Sequence, residues 1–389
     1  MNRDQSARAS WIRRLWITVV AGIGLLLGCG GGVGTGGTGA FASGPIAGFG
    51  SIIVNDVVYD ESLARIEDDT GAGRDRSDLR LGTVVEVDSG AVRDNAATAS
   101  RVGIASERIG RVDAVAANLL TVNGLPVRFN SGTVFDDAFA GGAAGVVVGA
   151  LVEVHGFVTD QPGEVLATRI EARPTATLFK FRGAISALDT QARTFRVANQ
   201  TFAYAAGVAG RDQLAEGAFL RVWVNPTRDP QGRWVVTAIA RGQWMPPDSM
   251  EVKTNGVITL FASVASFQVG PWTVNASGAS IDNGPLALGQ RVKVEGRVQG
   301  GVLVATEVKV QGQNGSDELQ MRGVIAAVDL PAQTFEFNGR RDRVSFARSD
   351  IVFEGGNLAS LTVGRRVRAF GRLSADGTLL EATLIRIEK

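Results

Sequence analysis

The feature that most constrains the fold is a set of three landmarks that recur in the same order along the chain. A strand opening with Gly and a branched residue comes first, a strand leading into a hairpin turn comes second, and a turn glycine before an alternating strand comes third. The turn glycines recur about every 65 to 75 residues, which exceeds a solenoid repeat and suits a complete small domain. These glycines are Gly82, Gly149, Gly217, Gly289 and Gly364.

The first two landmarks define where each copy begins. The opening motifs are Gly110-Arg111-Val112, Gly183-Ala184-Ile185, Gly256-Val257-Ile258 and Gly323-Val324-Ile325, with Gly50-Ser51-Ile52 as a looser early copy. In the hairpin landmark, Asn123-Gly124 supplies the positive backbone angles that a two-residue turn requires. Each copy closes with a further strand, such as Ala382-Thr383-Leu384-Ile385.

The strand pattern predicts an all-β protein. Apolar residues alternate with polar ones along the strands, so one face of each strand is buried and the other is outside. The 50 Gly against 11 Pro fit many short strands and tight turns. Three meandering strands, a variable connection and two more strands in each copy predict about five small OB-like, partly open β-barrels in tandem. A small β-sandwich is the alternative.

Breaks in the pattern predict the domain boundaries. Short linkers are expected at Arg173-Pro174-Thr175, Met245-Pro246-Pro247-Asp248 and Gly312-Gln313-Asn314-Gly315-Ser316. Because these linkers are too short to let neighbouring barrels move far apart, we expect a semi-rigid rod. The predicted segments are a signal peptide (1–28), a tether (29–43), unit 1 (44–105), unit 2 (106–173), unit 3 (177–243), unit 4 (250–311) and unit 5 (318–389).

The N-terminus predicts export and lipidation. A basic stretch ending in Arg13-Arg14 precedes the apolar run Leu15 to Leu27, which is too short for a confident membrane-spanning helix. Leu26-Leu27-Gly28-Cys29 resembles a lipobox, in which the cysteine becomes the acylated N-terminus, and Cys29 is the only cysteine. The alternative is a chance cysteine after an ordinary signal peptide.

The segment after Cys29 predicts how the barrels are attached. Gly30 to Gly39 is nearly pure glycine, which is typical of a flexible coil that holds the domains off the membrane. Gly30 directly after the cysteine resembles the sorting pattern for the outer membrane of Gram-negative bacteria. We therefore expect a lipid-anchored protein of the bacterial envelope, on the periplasmic face or at the cell surface.

Together, the lipobox, the glycine tether and the repeated units resemble a bacterial family. The units read Gly-x-Ile, then Val-x-Val-x-Gly, then Ala-Thr-x-Ile, and they look like a domain of unknown function found in repeated copies in exported lipoproteins. The resemblance covers essentially the whole mature chain and is clearest in units 2, 4 and 5. It implies OB-like barrels and an envelope location, and it implies no established activity.

Charge and motifs exclude several classes of function. Residues 1–28 hold four Arg and one Asp, so the mature chain keeps 36 basic and 38 acidic side chains, near −2. Nucleic acid is therefore an unexpected partner, since phosphate binding needs a basic surface. His155, the only histidine, precedes Gly156 at a position expected at a surface edge, and no motif supplies partners for a catalytic or metal role. We predict no enzyme, no cofactor and no metal.

One acidic stretch lies in the long insertion of unit 1. It comprises Glu67, Asp68, Asp69, Asp75 and Asp78. Calcium favours such oxygen ligands, but the spacing departs from the EF-hand loop and arginines intervene. The prediction is a solvated loop, with calcium binding as the alternative.

Aromatic and arginine side chains are the candidate ligand-binding groups. Trp223 and Trp234 flank a hairpin turn and could face each other, and Trp244 and Trp272 are the other tryptophans of the mature chain. Exposed, they would stack on sugars, whereas packing in cores or between barrels is the expectation for large aromatics. In unit 5, arginines are expected to point outward and keep an edge soluble, or to bind an anionic partner such as lipopolysaccharide phosphate or an acidic glycan. They are Arg340, Arg341, Arg343, Arg365, Arg366 and Arg368.

Three hypotheses for function follow. The favoured one is a noncatalytic envelope lipoprotein whose repeat array binds a partner or polymer, or acts as a scaffold or spacer. The second is a polysaccharide-binding surface lipoprotein that uses Trp223, Trp234 and Trp272. The third is a carboxylate-dependent hydrolase, which needs two acids facing each other in a cleft. The expected partners are the membrane, through the lipid, and an envelope protein or polysaccharide.

Overall fold

The computed structural model describes residues 39–312 and 319–388. The predicted signal peptide, Cys29 and nearly all of the glycine tether lie outside these residues, as do residues 313–316 of the third predicted linker. The described chain is all-β, with four short 3-10 helices between strands. Within it, no helix is long and apolar enough to cross a membrane.

Each unit contributes five principal strands, and units 1, 2, 4 and 5 carry one short extra strand. Unit 1 contains β1 (Ala40–Phe49), β2 (Ile52–Val54), β3 (Val57–Asp60), β4 (Arg65–Asp68), β5 (Val84–Ser89) and β6 (Ala96–Ile104). Unit 2 contains β7 (Arg108–Ala116), β8 (Leu119–Val122), β9 (Leu125–Arg128), β10 (Val134–Phe135), β11 (Leu151–Val158) and β12 (Val165–Ala172). Unit 3 contains β13 (Phe179–Asp189), β14 (Thr194–Val197), β15 (Gln200–Ala209), β16 (Phe219–Val224) and β17 (Trp234–Arg241).

Units 4 and 5 follow the same order. Unit 4 contains β18 (Glu251–Ser263), β19 (Ser266–Val269), β20 (Trp272–Asn275), β21 (Ser280–Asp282), β22 (Arg291–Gln299) and β23 (Val302–Val310). Unit 5 contains β24 (Leu319–Asp329), β25 (Thr334–Phe337), β26 (Arg343–Ser345), β27 (Val352–Glu354), β28 (Arg366–Leu373) and β29 (Leu380–Ile387). The short strands β4, β10, β21 and β27 each pair in parallel with the last strand of their own unit.

The five principal strands of each unit close into a barrel. In unit 3, β13 to β15 form an antiparallel meander, β15 pairs in parallel with β17, and β16 pairs with both β17 and β13. The same ring of pairings closes the other units. It places the last strand between the third and fourth, as in an OB-like Greek-key barrel, and closure removes exposed sheet edges. The predicted array of five OB-like barrels is confirmed.

The turn glycines anchor each barrel in the same way. Each has a positive φ, from 76° at Gly82 to 91° at Gly149. The Gly289 N–H donates to the carbonyl of Ile258, the branched residue of the opening motif, at 2.9 Å. In unit 1 the equivalent bond runs from Gly82 to Ile46, also at 2.9 Å. The opening motif of unit 1 is therefore Gly44-Pro45-Ile46, and the prediction of Gly50-Ser51-Ile52 was wrong.

This correction also moves the start of the folded chain. Residues 40–43 were predicted to belong to the tether, but they form the first part of β1, and the Phe41 side chain is buried. A strand rich in Gly, Ala and Ser lacks the bulky alternation that marks a strand in sequence. The sequence pattern therefore did not predict a strand over residues 40–43.

A second glycine marks a β-bulge in the fourth strand of units 2, 4 and 5. The pairing of the last two strands shifts directly before Gly156, Gly296 and Gly371. A Cβ on Gly296 would lie 2.2 Å from the carbonyl oxygen of Val304, so only glycine lets these strands approach so closely. Gly156, directly after His155, is therefore a bulge glycine inside a strand and not a turn glycine.

Within residues 39–312 and 319–388, the barrels assemble into one compact body. The first strand of unit 1 pairs in parallel with the first strands of unit 4, at Ala40–Ser43, and of unit 5, at Gly48–Phe49. The first strands of units 2 and 3 pair with each other. Units 1 and 5 also share a continuous apolar core. The predicted rod is wrong, since distant units contact unit 1 directly.

Candidate functional site

The candidate site is built on the outer faces of the barrels. In the first and fourth strands of unit 3, apolar side chains fill the core, while Lys180, Arg182, Arg221 and Trp223 point outward. Strand register sets Lys180 beside Trp223 and Arg182 beside Arg221. The outer face of unit 3 is therefore basic with one aromatic ring.

This basic face is buried against carboxylates of units 1 and 2. Arg182 pairs with Glu107 at 2.5 Å and with Glu86 at 3.8 Å. Arg221 pairs with the same Glu86 at 2.6 Å and with Asp69 at 3.3 Å. None of these five side chains is more than 10% exposed. Charges so fully removed from water persist only when they are paired, so these contacts fix the three barrels relative to one another.

Lys180 completes the network. Its ammonium group pairs with Asp69 and donates to the Ser106 hydroxyl, and its side chain is 2% exposed. Burial raises the pKa of Asp69, but the charges of Lys180 and Arg221 outweigh it and hold that pKa below its usual range. Asp69 therefore stays ionised at neutral pH. We name the set Lys180, Arg182, Arg221, Asp69, Glu86 and Glu107 the central charge network.

His155 lies in an adjoining cluster and not at a surface edge as predicted. It is 1% exposed, its Nδ1 lies 3.4 Å from the Ala105 carbonyl, and its Nε2 lies 4.0 Å from Glu153. Burial lowers the pKa of His155, so the ring is neutral near pH 7. Unit 1, which supplies Ala105, covers this part of unit 2. The sequence alone could not show that unit 1 packs over His155.

Glu153, His155 and Glu171 form the one group of metal-ligand type in the described ranges 39–312 and 319–388, with ligand atoms within 4.8 Å of one another. Arg173 pairs with both carboxylates, and Arg169 pairs with Glu171. Burial raises the pKa of Glu171, but the charge of Arg169 more than offsets burial, and the pKa is lowered to about 2. Because arginines already occupy the carboxylates, the cluster is better suited to holding strands together than to binding a metal.

A pocket of about 370 Å³ opens beside the central charge network between units 1, 2 and 3. Asp69, Lys180 and Glu153 line it together with Trp223 and the exposed Leu178. Its charged groups are paired with one another, so the pocket has no strong preference for either sign of ligand.

The tryptophans do not form the exposed stacking surface that the polysaccharide hypothesis requires. Trp234 and Trp272 are 4% and 0% exposed and lie in the cores of units 3 and 4. Trp223 is 9% exposed and borders the pocket, and its strand partner is Ala238, so it does not face Trp234. Among the four tryptophans of residues 39–312 and 319–388, Trp244 presents the most surface, at 40% exposed, and it packs on Phe41. Packing in cores or between barrels was the expectation for these large aromatics.

The hairpin arginines of unit 5 divide into three cases. Arg340 was predicted to point outward, but it is 6% exposed, pairs with the buried Glu61 at 2.6 Å and lies over the Phe49 ring. Arg343 is 38% exposed and lies 3.4 Å from Asp137 of unit 2. Arg341 is exposed as predicted. The contact with unit 1 accounts for the error at Arg340.

The acidic insertion was predicted to be a solvated loop, with calcium binding as the alternative, but most of its carboxylates have partners within the chain. Asp69 is buried in the central charge network, Glu67 pairs with Arg101 at 2.5 Å, and Asp78 pairs with Arg74 at 3.3 Å. The Asp68 carboxylate accepts backbone N–H groups of its own turn, including that of Thr70 at 2.9 Å. Partners within the chain therefore take up the carboxylates that a calcium ion would need.

Unit 5 carries an open basic face. Arg322, Arg368 and Arg386 sit side by side on its first, fourth and fifth strands, and Arg366 lies next to them. Glu388 pairs with Arg322 at 2.8 Å and with Arg368 at 3.3 Å, and Glu354 pairs with Arg386 at 2.6 Å. The sequence predicted Arg366 and Arg368 as outward residues but missed Arg322 and Arg386, since strand pairing alone brings them together.

Comparison with known proteins agrees with the repeat pattern. Three segments, residues 109–171, 254–309 and 322–386, match the model of a family described as "Domain of unknown function (DUF5666)". They fall in units 2, 4 and 5. No curated protein matches the chain. One solved structure, described as "drosophila Unr CSD456", aligns at 12% identity over 55% of this chain and 98% of that chain, with a TM-score of 0.14. The fold assignment rests on strand pairing and not on that alignment.

Proposed function

We propose that this protein is a noncatalytic binding or scaffold module of the bacterial cell envelope, anchored by lipid on Cys29. The observation that carries the proposal is the central charge network, which uses the outer faces of three barrels to build one body. Such a body holds its remaining faces in fixed positions, as a scaffold requires. The match of three units to a domain of unknown function fits this role, and it brings no enzymatic family with it.

A hydrolase is the less favoured function. Glycoside hydrolysis by paired carboxylates needs one acid with a raised pKa to donate a proton. Glu153 and Glu171 face each other across two strands, but arginines keep the pKa of Glu171 near 2. A carboxyl group with that pKa is ionised at neutral pH and cannot serve as the acid.

Fractionation of bacterial cells tests the anchoring. The wild-type chain should be found with the membranes and should incorporate labelled fatty acid, because two or three acyl chains give stable attachment. Cys29→Ser should shift the protein to the soluble fraction. A Gly31→Ser variant in the tether is the matched control and should stay with the membranes. Membrane association that survives Cys29→Ser without acyl label would contradict the anchor.

Crosslinking of the lipidated protein in its native envelope tests the binding role. We expect a reproducible envelope partner, protein or polysaccharide, in the purified crosslinked material. The near-neutral charge of the mature chain gives no basis for a nucleic acid partner. Recovery of the chain without any envelope component, over several crosslinker lengths, would count against a binding or scaffold role.

A further inference from the structure

The open basic face of unit 5 has a buried counterpart inside the same molecule. The residue before the opening glycine is Arg182 in unit 3 and Arg322 in unit 5. Their partners on the fourth strand are Arg221 and Arg368, respectively. The two arginine pairs therefore occupy the same places in two copies of one barrel.

The equivalence extends along the fourth strand. Two residues further on, Trp223 and Phe370 directly precede the bulge in their units. Each barrel thus presents two arginines and one aromatic ring in the same register. Unit 5 adds Arg366 and Arg386, and the Arg386 guanidinium lies 5.9 Å from the Phe370 ring centre. The outer face of unit 5 therefore carries at least as many arginines as the outer face of unit 3.

The two faces differ in what covers them. In unit 3, Arg182 and Arg221 share Glu86 of unit 1 and are at most 10% exposed. In unit 5, Arg322 is 42% exposed and Arg386 is 46% exposed. Arg366 is exposed and makes no direct ion pair within residues 39–312 and 319–388, although its charge helps to lower the pKa of Glu388. The face of unit 5 is therefore solvent-accessible where its counterpart is covered by protein.

We propose that the open basic face of unit 5 docks a carboxylate-rich surface of another protein. Glu86 of unit 1 and Glu107 of unit 2 show the chemistry that this arrangement of arginines accepts, namely carboxylates displayed by a neighbouring polypeptide. Charge complementarity of this kind sets partner choice and association rate. Glu86 and Glu107 of a second copy are covered by its own unit 3, so they cannot serve as the docked carboxylates.

Glu388 limits how the partner binds. It accepts from Arg322 and lies near Arg368, so it takes the place that Glu86 takes in unit 3. Arg366 and the outer side of Arg386 remain for the partner, which therefore contacts the edge of the face formed by β28 and β29. This inference rests on the proposed binding role and names the surface that performs it.

Binding of the purified full chain to poly-L-glutamate tests the proposal. The test variant is Arg366→Gln with Arg386→Gln, and the matched control is Arg93→Gln with Arg196→Gln, two exposed arginines in units 1 and 3. Thermal unfolding confirms that each variant is folded. We expect the control to bind as the wild type does and the test variant to bind about tenfold more weakly, as loss of two partly exposed ion pairs implies. Binding should weaken in 0.5 M salt because exposed charges are screened, the Debye length being about 3 Å at 1 M.

Two further arms decide the kind of partner. Polygalacturonate carries carboxylates on a sugar polymer, and it should bind more weakly than poly-L-glutamate at equal charge. Tighter binding of polygalacturonate would overturn the assignment to a protein partner. Equal binding of poly-L-glutamate by wild type and test variant, or no binding at low salt, would overturn the docking face itself.

The crosslinking experiment separates this inference from the proposed function. An envelope partner captured by wild type and lost from the Arg366→Gln, Arg386→Gln variant supports both. A partner captured equally by wild type and variant leaves the binding role in place and removes this face from it.

Discussion

Replacing Lys180 tests whether the central charge network holds the body together. Lys180→Met keeps the length and apolar stem of the side chain but removes the charge that pairs with Asp69. Asp69 is left with Arg221 at 3.3 Å, and its second oxygen loses its partner inside the protein. Removing one partner of a buried pair costs about 3–5 kcal/mol, against about 0–1 kcal/mol for an exposed pair. Because Asp69 keeps Arg221, we expect Lys180→Met to lower the free energy of unfolding by about 3 kcal/mol, the lower end of the range for a buried pair.

Chemical denaturation followed by tryptophan fluorescence measures this loss. Trp223 lies directly across the strand pair from Lys180, so its emission should report the opening of the interface. Lys309→Met, at an exposed strand position of unit 4, is the matched control and should change stability by less than about 1 kcal/mol. Equal destabilisation by Lys180→Met and Lys309→Met would contradict a stabilising role of the buried Lys180–Asp69 pair.

Three further predictions follow from the fold and the buried cluster. Gly296→Ala should destabilise unit 4 by about 1–3 kcal/mol, because its Cβ would lie 2.2 Å from the Val304 carbonyl oxygen. The exposed Gly278→Ala should have little effect. Denaturation compares the two variants, and equal midpoints would contradict the close approach of the strands at Gly296. His155 is held neutral when folded and takes up a proton below about pH 6.5 when unfolded, so stability should fall between pH 7.5 and 5.5 by up to about 1.4 kcal/mol per unit. His155→Gln should flatten that slope, and an unchanged slope would show that other groups cause it. Arg340→Met should destabilise the contact of units 1 and 5 by about 1–3 kcal/mol, because the buried Glu61 then keeps only Arg76, at 2.7 Å, as an ion-pair partner. Arg341→Met should not destabilise it, and similar melting temperatures of the two variants would contradict the buried pair.

The fold of each barrel could be read from the sequence. Alternation along strands such as β13 and β22 separates core from outer face, and the turn glycines carry the positive φ that their positions demand. These are local properties, set by sterics and by side-chain period. These local properties were enough to predict the all-β array, which the structure confirms, although the first strand of unit 1 was missed.

The arrangement of barrels could not be read in the same way. Alternation shows that Lys180 and His155 lie on outer faces, but it does not show which outer faces are covered by another unit. The predictions of a rod and of surface positions for His155 and Arg340 failed for this one reason. One signal was present: the fourth strands carry Glu86 and Glu153 in units 1 and 2 but Arg221 in unit 3. Opposite charge at one repeat position indicates that these faces contact each other.

Small-angle X-ray scattering tests most directly whether the barrels form one body. The chain from residue 39 onward, monomeric at low concentration, should give a radius of gyration of about 20 Å by the scaling for compact domains. Its distance distribution should be a single, nearly symmetric peak, and Lys180→Met should broaden it. A long, skewed distribution with a markedly larger radius would show the barrels strung out in a row and would contradict the compact assembly.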